Sequence, residues 1–335
     1  MKAYPRETTE AFLDGHVAAF DFYGAVPLSI LYDNLKIAVA KICGDGKRER
    51  TRAFTERVSP YLFKDRFGRP GKGKVEGLVK FSRSNFMTPI PIAASYEALN
   101  AMLADRCRKR LSERAGRHAE TIGQRLAADL AALRALPAVA LEPCEKRVAR
   151  VSSTALVRYR GNDYSVPTAH GFQAVLVKGF VDEVVILCDG VSIARHARSY
   201  DQGAFVYDPL HYLALIETKP GALDQAAALQ AWDLPPAFQH LRNLLEARMG
   251  NRGKREFIQV LRLMEIAPKE VVADAVTDAI QLGAIGFDAV KQIVLARIER
   301  RPAKLNLAAY PYLPATDVRT TRAADYALLV QEQAA

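Results

Sequence analysis

The sequence predicts three structural parts in series: an α/β segment, a small β-barrel, and a helical carboxy-terminal region that ends in an irregular tail. Three observations predict this order. Over residues 1–90, apolar residues at helical spacing alternate with one short apolar run. Between residues 148 and 198, short β-branched runs follow one another, separated by Gly, Asn and Asp turns. From about Pro209 to Arg300 the apolar period is helical again, cut into helix-sized pieces by Pro220, Pro235, Pro268 and Pro302. The boundaries fall at 1–90 for the α/β part, 91–144 for a helical extension and linker, 145–200 for the barrel, 201–301 for the helical region and 302–335 for the tail.

Each element has a local reason. Thr8 or Thr9 caps a helix running to about Tyr23, with Phe12, Val17, Ala18 and Phe20 spaced for one face. Val26–Tyr32 (VPLSILY) reads as a buried strand ending at Asp33 and Asn34. Residues 44–52 (GDGKRERTR) are a charged loop, Phe54–Phe63 a further short element, and Gly68–Gly73 (GRPGKG) a flexible loop before a helix over Val75–Phe86. Helices at about 95–115 and 119–136 lead to a linker, Pro137–Pro143. The barrel strands are expected at Val148–Tyr159, Asp163–Val166, Gln173–Gly179, Glu183–Cys188 and Ser192–Arg198. The Tyr/Pro-rich tail is too poor in periodic apolar positions for a core of its own, so it is expected to lie along another domain or subunit.

Composition narrows the function classes. Lys plus Arg number 47 against 37 Asp plus Glu, a net charge of +10. That balance favours a polyanionic partner, nucleic acid before an acidic membrane surface. Four scattered cysteines, Cys43, Cys107, Cys144 and Cys188, form no CxxC or Cys/His spacing, which argues against a zinc site or a disulfide framework and fits a reducing cytosol. No apolar signal region and no run of about 18 apolar residues is present, so no membrane span is expected.

The excess charge is concentrated. Residues 41–83 hold 13 Lys or Arg against 5 Asp or Glu, a net of +8. Lys47, Arg48, Arg50, Arg52, Arg69, Lys72, Lys74, Lys80 and Arg83 lie in this stretch, and Arg106, Arg108, Lys109, Arg110, Arg114 and Arg117 form a second cluster. Together they predict one positive surface for DNA phosphate, which gives affinity rather than sequence choice. Asp33, just past a strand, lies shortly before this stretch, and Glu76, at the opening of a helix, lies within it. Carboxylates so placed can converge on divalent metal, whose hard ions take few protein oxygens because phosphate and water fill the other positions. Without further context, two such acids are ordinary surface residues. Gly68–Val75 also matches the spacing G-x-x-x-x-G-K of a phosphate loop, but Val75 replaces the Ser or Thr that must bind magnesium, and YLFKDRF before it is too charged for the buried strand such a loop follows.

The longer motifs are ILYDN (30–34), GRPGKGKVEGLVKFSRSNF (68–86), NDYSVP (162–167), RSYDQGAFVYDPLHYLALIETKPGALDQAAALQAWDLP (198–235), LLEARMGNRGKREFIQVLRLME (244–265) and LGAIGFDAVKQIVLARIERRP (282–302). Together they resemble the IstA-type transposases of insertion sequences. The resemblance implies a ribonuclease-H-like integrase core of the DDE group, here partial, followed by a DNA-binding barrel. Asp33 would be the second catalytic acid and Glu76 the last, both holding Mg2+ or Mn2+ in a two-metal site. It implies nicking at transposon ends, strand transfer to target double-stranded DNA, a homo-oligomer on that DNA, an AAA+ ATPase helper of the IstB type, and a cytoplasmic, nucleoid-associated protein.

Two departures shape the expectation. The family's first catalytic Asp lies on a central strand, and neither that strand nor the amino-terminal helix-turn-helix is read here. Asp14 and Asp21 are no substitutes, because both fall on the first helix. The loop before Glu76 is a few residues shorter than the usual form. The chain is therefore expected to be a carboxy-terminal part that does not cut DNA alone. The alternative reading is a catalytically inactive fragment that binds transposon DNA or co-assembles with intact transposase.

Overall fold

The computed structural model describes residues 1–32, 39–42, 48–50, 61, 63–67, 72–299 and 312, with the backbone path alone at 31, 39–42, 48–50, 65–67 and 72–76. The expected element at 54–63 and the tail at 302–335 fall almost wholly outside these residues.

The chain opens with α1 (Thr9–Tyr23), whose start is fixed by Thr8: its hydroxyl accepts from the Ala11 amide at 3.3 Å. Gly24 ends the helix in the left-handed region at φ 67°, a conformation that costs glycine nothing. The buried face is Ala11, Leu13 and Phe20, so Val17 and Ala18 of the expected stripe are only half-buried. The expected strand over 26–32 divides into β1 (Ala25–Val26) and β2 (Ser29–Tyr32), with Pro27, which has no amide to give a ladder, between them. A hairpin follows, β3 (Val39–Ile42) against β4 (Arg48–Arg50), so part of the stretch expected as a charged loop is strand. β5 (Lys64–Phe67) pairs parallel with β2, Ser29 opposite Lys64 and Tyr32 opposite Phe67. Despite its charge, this segment is a strand after all. Next come α2 (Lys72–Phe86), α3 (Tyr96–Arg110) and α4 (Ile122–Leu130). The last is shorter than expected: a capping box between Thr121 and Gln124 starts it late, and Arg134–Ala135 leaves it to form β6 against β1.

The expected barrel does not close. Its strands form two sheets over one core. β7 (Glu145–Arg150), β10 (Ala174–Gly179), β11 (Glu183–Cys188) and β12 (Val191–Ala197) make a four-stranded sheet in the order β12–β11–β10–β7. β8 (Leu156–Tyr159), β9 (Asn162–Ser165) and β13 (Phe205–Val206) make the other. The cause of the split is local. Between β7 and β8, the Ser152 hydroxyl accepts from the amides of Thr154 and Leu156, and Ala155 takes φ 57°. The chain leaves one sheet there and enters the other. Val157, Tyr159 and Tyr164 meet Val175, Val177, Val184 and Ile186 in a single buried cluster.

The helical region comprises α5 (Leu210–Thr218), α6 (Ala227–Gln230), α7 (Pro236–Met249), α8 (Asn251–Arg262), α9 (Lys269–Gln281) and α10 (Phe287–Ile298). Phe238, Leu241, Leu245, Ile258, Leu261, Val272, Val276, Val290 and Val294 form its core. Pro209, Pro235 and Pro268 stand at helix starts, where an amide would find no partner.

Candidate metal and DNA site

The strand leading to Asp33 is anchored from α1. The Phe12 carbonyl can only accept, so the His16 Nδ1–H donates to it at 2.7 Å. His16 Nε2 then accepts from the Tyr32 hydroxyl, also at 2.7 Å. Burial holds the His16 imidazolium below its ordinary range, which keeps the neutral form this bridge requires. Phe12, Phe20, Tyr61 and Phe63 surround the bridge with ring centroids 4.5 to 6.4 Å from their neighbours. Tyr32 is thus fixed as the last described residue of β2, in register with Phe67, and α2 begins five positions beyond Phe67.

Asp33, Lys47, Arg52 and Arg69 lie outside the described residues, as does the loop 68–71 of the phosphate-loop match. Glu76, Arg48, Arg50, Lys72 and Lys74 have a described backbone only: Glu76 falls in the second turn of α2, Arg48 and Arg50 on β4. Lys80 and Arg83 are exposed on α2. The second basic cluster divides. Arg106 donates to the Phe86 carbonyl at 2.5 Å, and the Arg110 guanidinium lies 4.3 Å from the centre of the Phe81 ring. Both dock α3 on α2. Arg108 and Lys109 face outward, Lys109 with Asp105 at 2.8 Å.

A second polar cluster joins residues that no sequence motif connects. The His196 Nε2–H donates to the Ser165 carbonyl at 2.6 Å. The Ser165 hydroxyl lies 2.9 Å from His211 Nδ1 and accepts from the Asp208 amide at 2.8 Å, while Asp208 approaches His211 Nε2 at 3.7 Å. Serine, histidine and aspartate meet here, but Ser165 is fully buried and no substrate can reach it. The cluster ties β9 and β12 to the start of α5. Burial lowers the His211 pKa to about 4, outweighing the pull of Asp208. The motifs NDYSVP and VYDPLHY carry no sign in sequence that they meet.

Among the described residues, no three His, Cys, Asp or Glu are grouped to hold a metal ion, and no helix is long and apolar enough to cross a membrane.

Residues 136–208, the linker and two-sheet unit, match the Mu transposase, C-terminal domain family. The chain is 34% identical over 317 residues to a transposase for insertion sequences IS1326/IS1353 from Pseudomonas aeruginosa, covering 91% of this chain and 61% of that protein. A transposase of Aminobacter aminovorans is 32% identical over 84% of this chain and 57% of its own length. The transposase for insertion sequence element IS21 from Pseudomonas aeruginosa is 29% identical over 64% of this chain and 56% of its own length. The chain is a homologue of these insertion-sequence transposases, consistent with the IstA type. It spans about three fifths of the length of the curated relatives it matches.

Proposed function

We propose that the chain binds transposon-end and target DNA and contributes Asp33 and Glu76 to the metal site of end cleavage and strand transfer, within a partial ribonuclease-H-like core. The carrying observation is the parallel pair β2–β5: Asp33 directly follows its fixed end at Tyr32, and α2, with Glu76 in its second turn, follows the partner strand. Two carboxylates are a hard-oxygen donor set that suits Mg2+ or Mn2+. The bound metal would polarise phosphate and activate the attacking oxygen. Lys80 and Arg83, exposed on α2, would hold the phosphate backbone beside these acids, with Lys47, Arg48, Arg50, Arg52, Arg69, Lys72 and Lys74 adding to the same surface. A homo-oligomer on DNA and a helper ATPase of the IstB type complete the reading.

Iron-generated hydroxyl radicals test the metal site without requiring turnover. With Fe2+ replacing Mg2+, peptide cleavage is expected near residues 33 and 76, lost in Asp33→Ala and in Glu76→Ala. The chain is not expected to nick or join an end duplex alone, and any nicking or joining it does show with Mg2+ or Mn2+ is expected to depend on both acids. Activity that survives both substitutions overturns the assignment. Duplex binding with no radical cleavage at either position would assign the chain to DNA binding and assembly alone.

A further inference from the structure

We infer that Glu10 and Arg198 form a charge-locked joint that sets the orientation of the two-sheet unit relative to α1. Glu10 lies in the first turn of α1 and Arg198 just past β12. They meet at 2.5 Å with side chains 0% and 3% exposed, a buried ion pair between segments remote in sequence. Arg198 is held on several sides. It donates to the Phe180 carbonyl at 2.5 Å, and its guanidinium lies 4.7 Å from the Tyr200 ring centre and 5.5 Å from that of Tyr159. Tyr159 is itself fixed: its hydroxyl donates to Glu145, which also takes Arg160 Nε, each at 2.8 Å. Gly179 leaves the space for that hydroxyl, since a Cβ there would stand 2.0 Å from it.

Glu10 has no such support. Neither carboxylate oxygen accepts an aligned hydrogen bond, so among the described residues Arg198 is the charge that compensates it. An uncompensated buried charge is strongly unfavourable, whereas an apolar pair of similar volume holds as well as an ion pair. What the ion pair adds is orientation. The stacked guanidinium and its carbonyl bond accept the carboxylate in one placement. α1 carries that placement onward, because the same helix bonds Tyr32 at the end of β2 through His16. On the proposed function, DNA held by the two-sheet unit is thereby presented to the residues after β2.

Amide hydrogen exchange on the full chain tests the joint with Glu10→Leu, Arg198→Met and the double variant. Each single substitution is expected to raise exchange over residues 11–20 at least tenfold while the core strands over 175–177 and 184–186 stay protected. The double variant is expected within about threefold of wild type, because both charges are gone. Unchanged exchange in the single variants, or single effects that simply multiply in the double, would overturn the joint. The test needs no ligand, so a chain that failed to bind DNA would sink the proposed function and leave the joint intact.

Discussion

At the scale of single residues, two glycines predict opposite outcomes. Gly253 lies where α8 crosses α7, and a Cβ there would stand 2.1 Å from the Leu245 carbonyl oxygen. That neighbour is backbone, so no rotamer change relieves the overlap and the two helices must part. Gly253→Ala is expected to cost about 3 kcal/mol, the upper part of the range for overpacking. Among the described residues, nothing lies within 4 Å of the would-be Cβ of Gly77, in α2. Gly77→Ala should stabilise its helix by roughly 0.5–1 kcal/mol through lost unfolded-state freedom. Trp232, the single tryptophan, packs against the helical core and reports on it. Urea unfolding followed by its fluorescence should shift sharply to lower midpoint for Gly253→Ala and should not fall for Gly77→Ala. An unmoved midpoint in Gly253→Ala would refute the close crossing. Neither role is legible in sequence. GNRGKREF gives two candidate helix breakers, Gly250 and Gly253. Only the packing separates the turn, Gly250 at φ 56°, from the crossing point inside a continuous helix.

At the scale of elements, three buried or half-buried histidines make stability depend on pH. His16 on α1, His196 on β12 and His211 on α5 all have pKa values held below the ordinary 6.5, chiefly by burial, and His211 falls to about 4. The unfolded chain takes up these protons near pH 6.5 while the folded chain does not. Stability is therefore full above that pH and is lost as pH falls below it, for His211 over the window from 6.5 to about 4. Each histidine contributes a slope of up to about 1.4 kcal/mol per pH unit. Thermal unfolding at pH 7.5, 6 and 5 should show the decline, and His211→Gln should flatten it. An equal slope in His211→Gln would mean that the Ser165–His211 contact does not hold in solution. The elements differ in how far the sequence foretells them. Prolines and apolar period place the helices of 209–300 closely, because both signals are local. The two-sheet unit is half legible: alternation marks which residues face a core, but not which sheet a strand joins, and the Ser152 turn that decides it looks like any other. β6 has two residues and no pattern, and β5 is strand by pairing with β2 despite its charge. The partners of the site are legible as acids and bases, whereas the His16–Tyr32 bridge joins two motifs by a contact that no spacing encodes.

At the scale of the whole molecule, the net charge of +10 acts through where it stands. A protein that neutralises many DNA phosphates releases as many condensed counterions, so its affinity falls steeply with salt. If the proposed surface makes six or more phosphate contacts, duplex affinity should drop about a thousandfold or more between 50 and 200 mM salt. The structure divides the basic residues into two groups with different expected behaviour. Lys80, Arg83 and Lys109 point outward, so each replacement by Ala should weaken binding to all duplexes alike and lower the log–log salt slope by about 1. Arg106 and Arg110 are spent on Phe86 and Phe81, where they hold α3 to α2. Their replacement should instead loosen that packing, visible as lower thermal stability, and leave the salt slope of the remaining folded protein close to wild type. Fluorescence anisotropy with one labelled duplex at four salt concentrations separates the groups. A flat response in wild type would mean that the charge is a solvated face with no phosphate beneath it. A slope that falls equally in both groups would mean that Arg106 and Arg110 leave α2 to reach DNA, and that α3 moves when DNA binds.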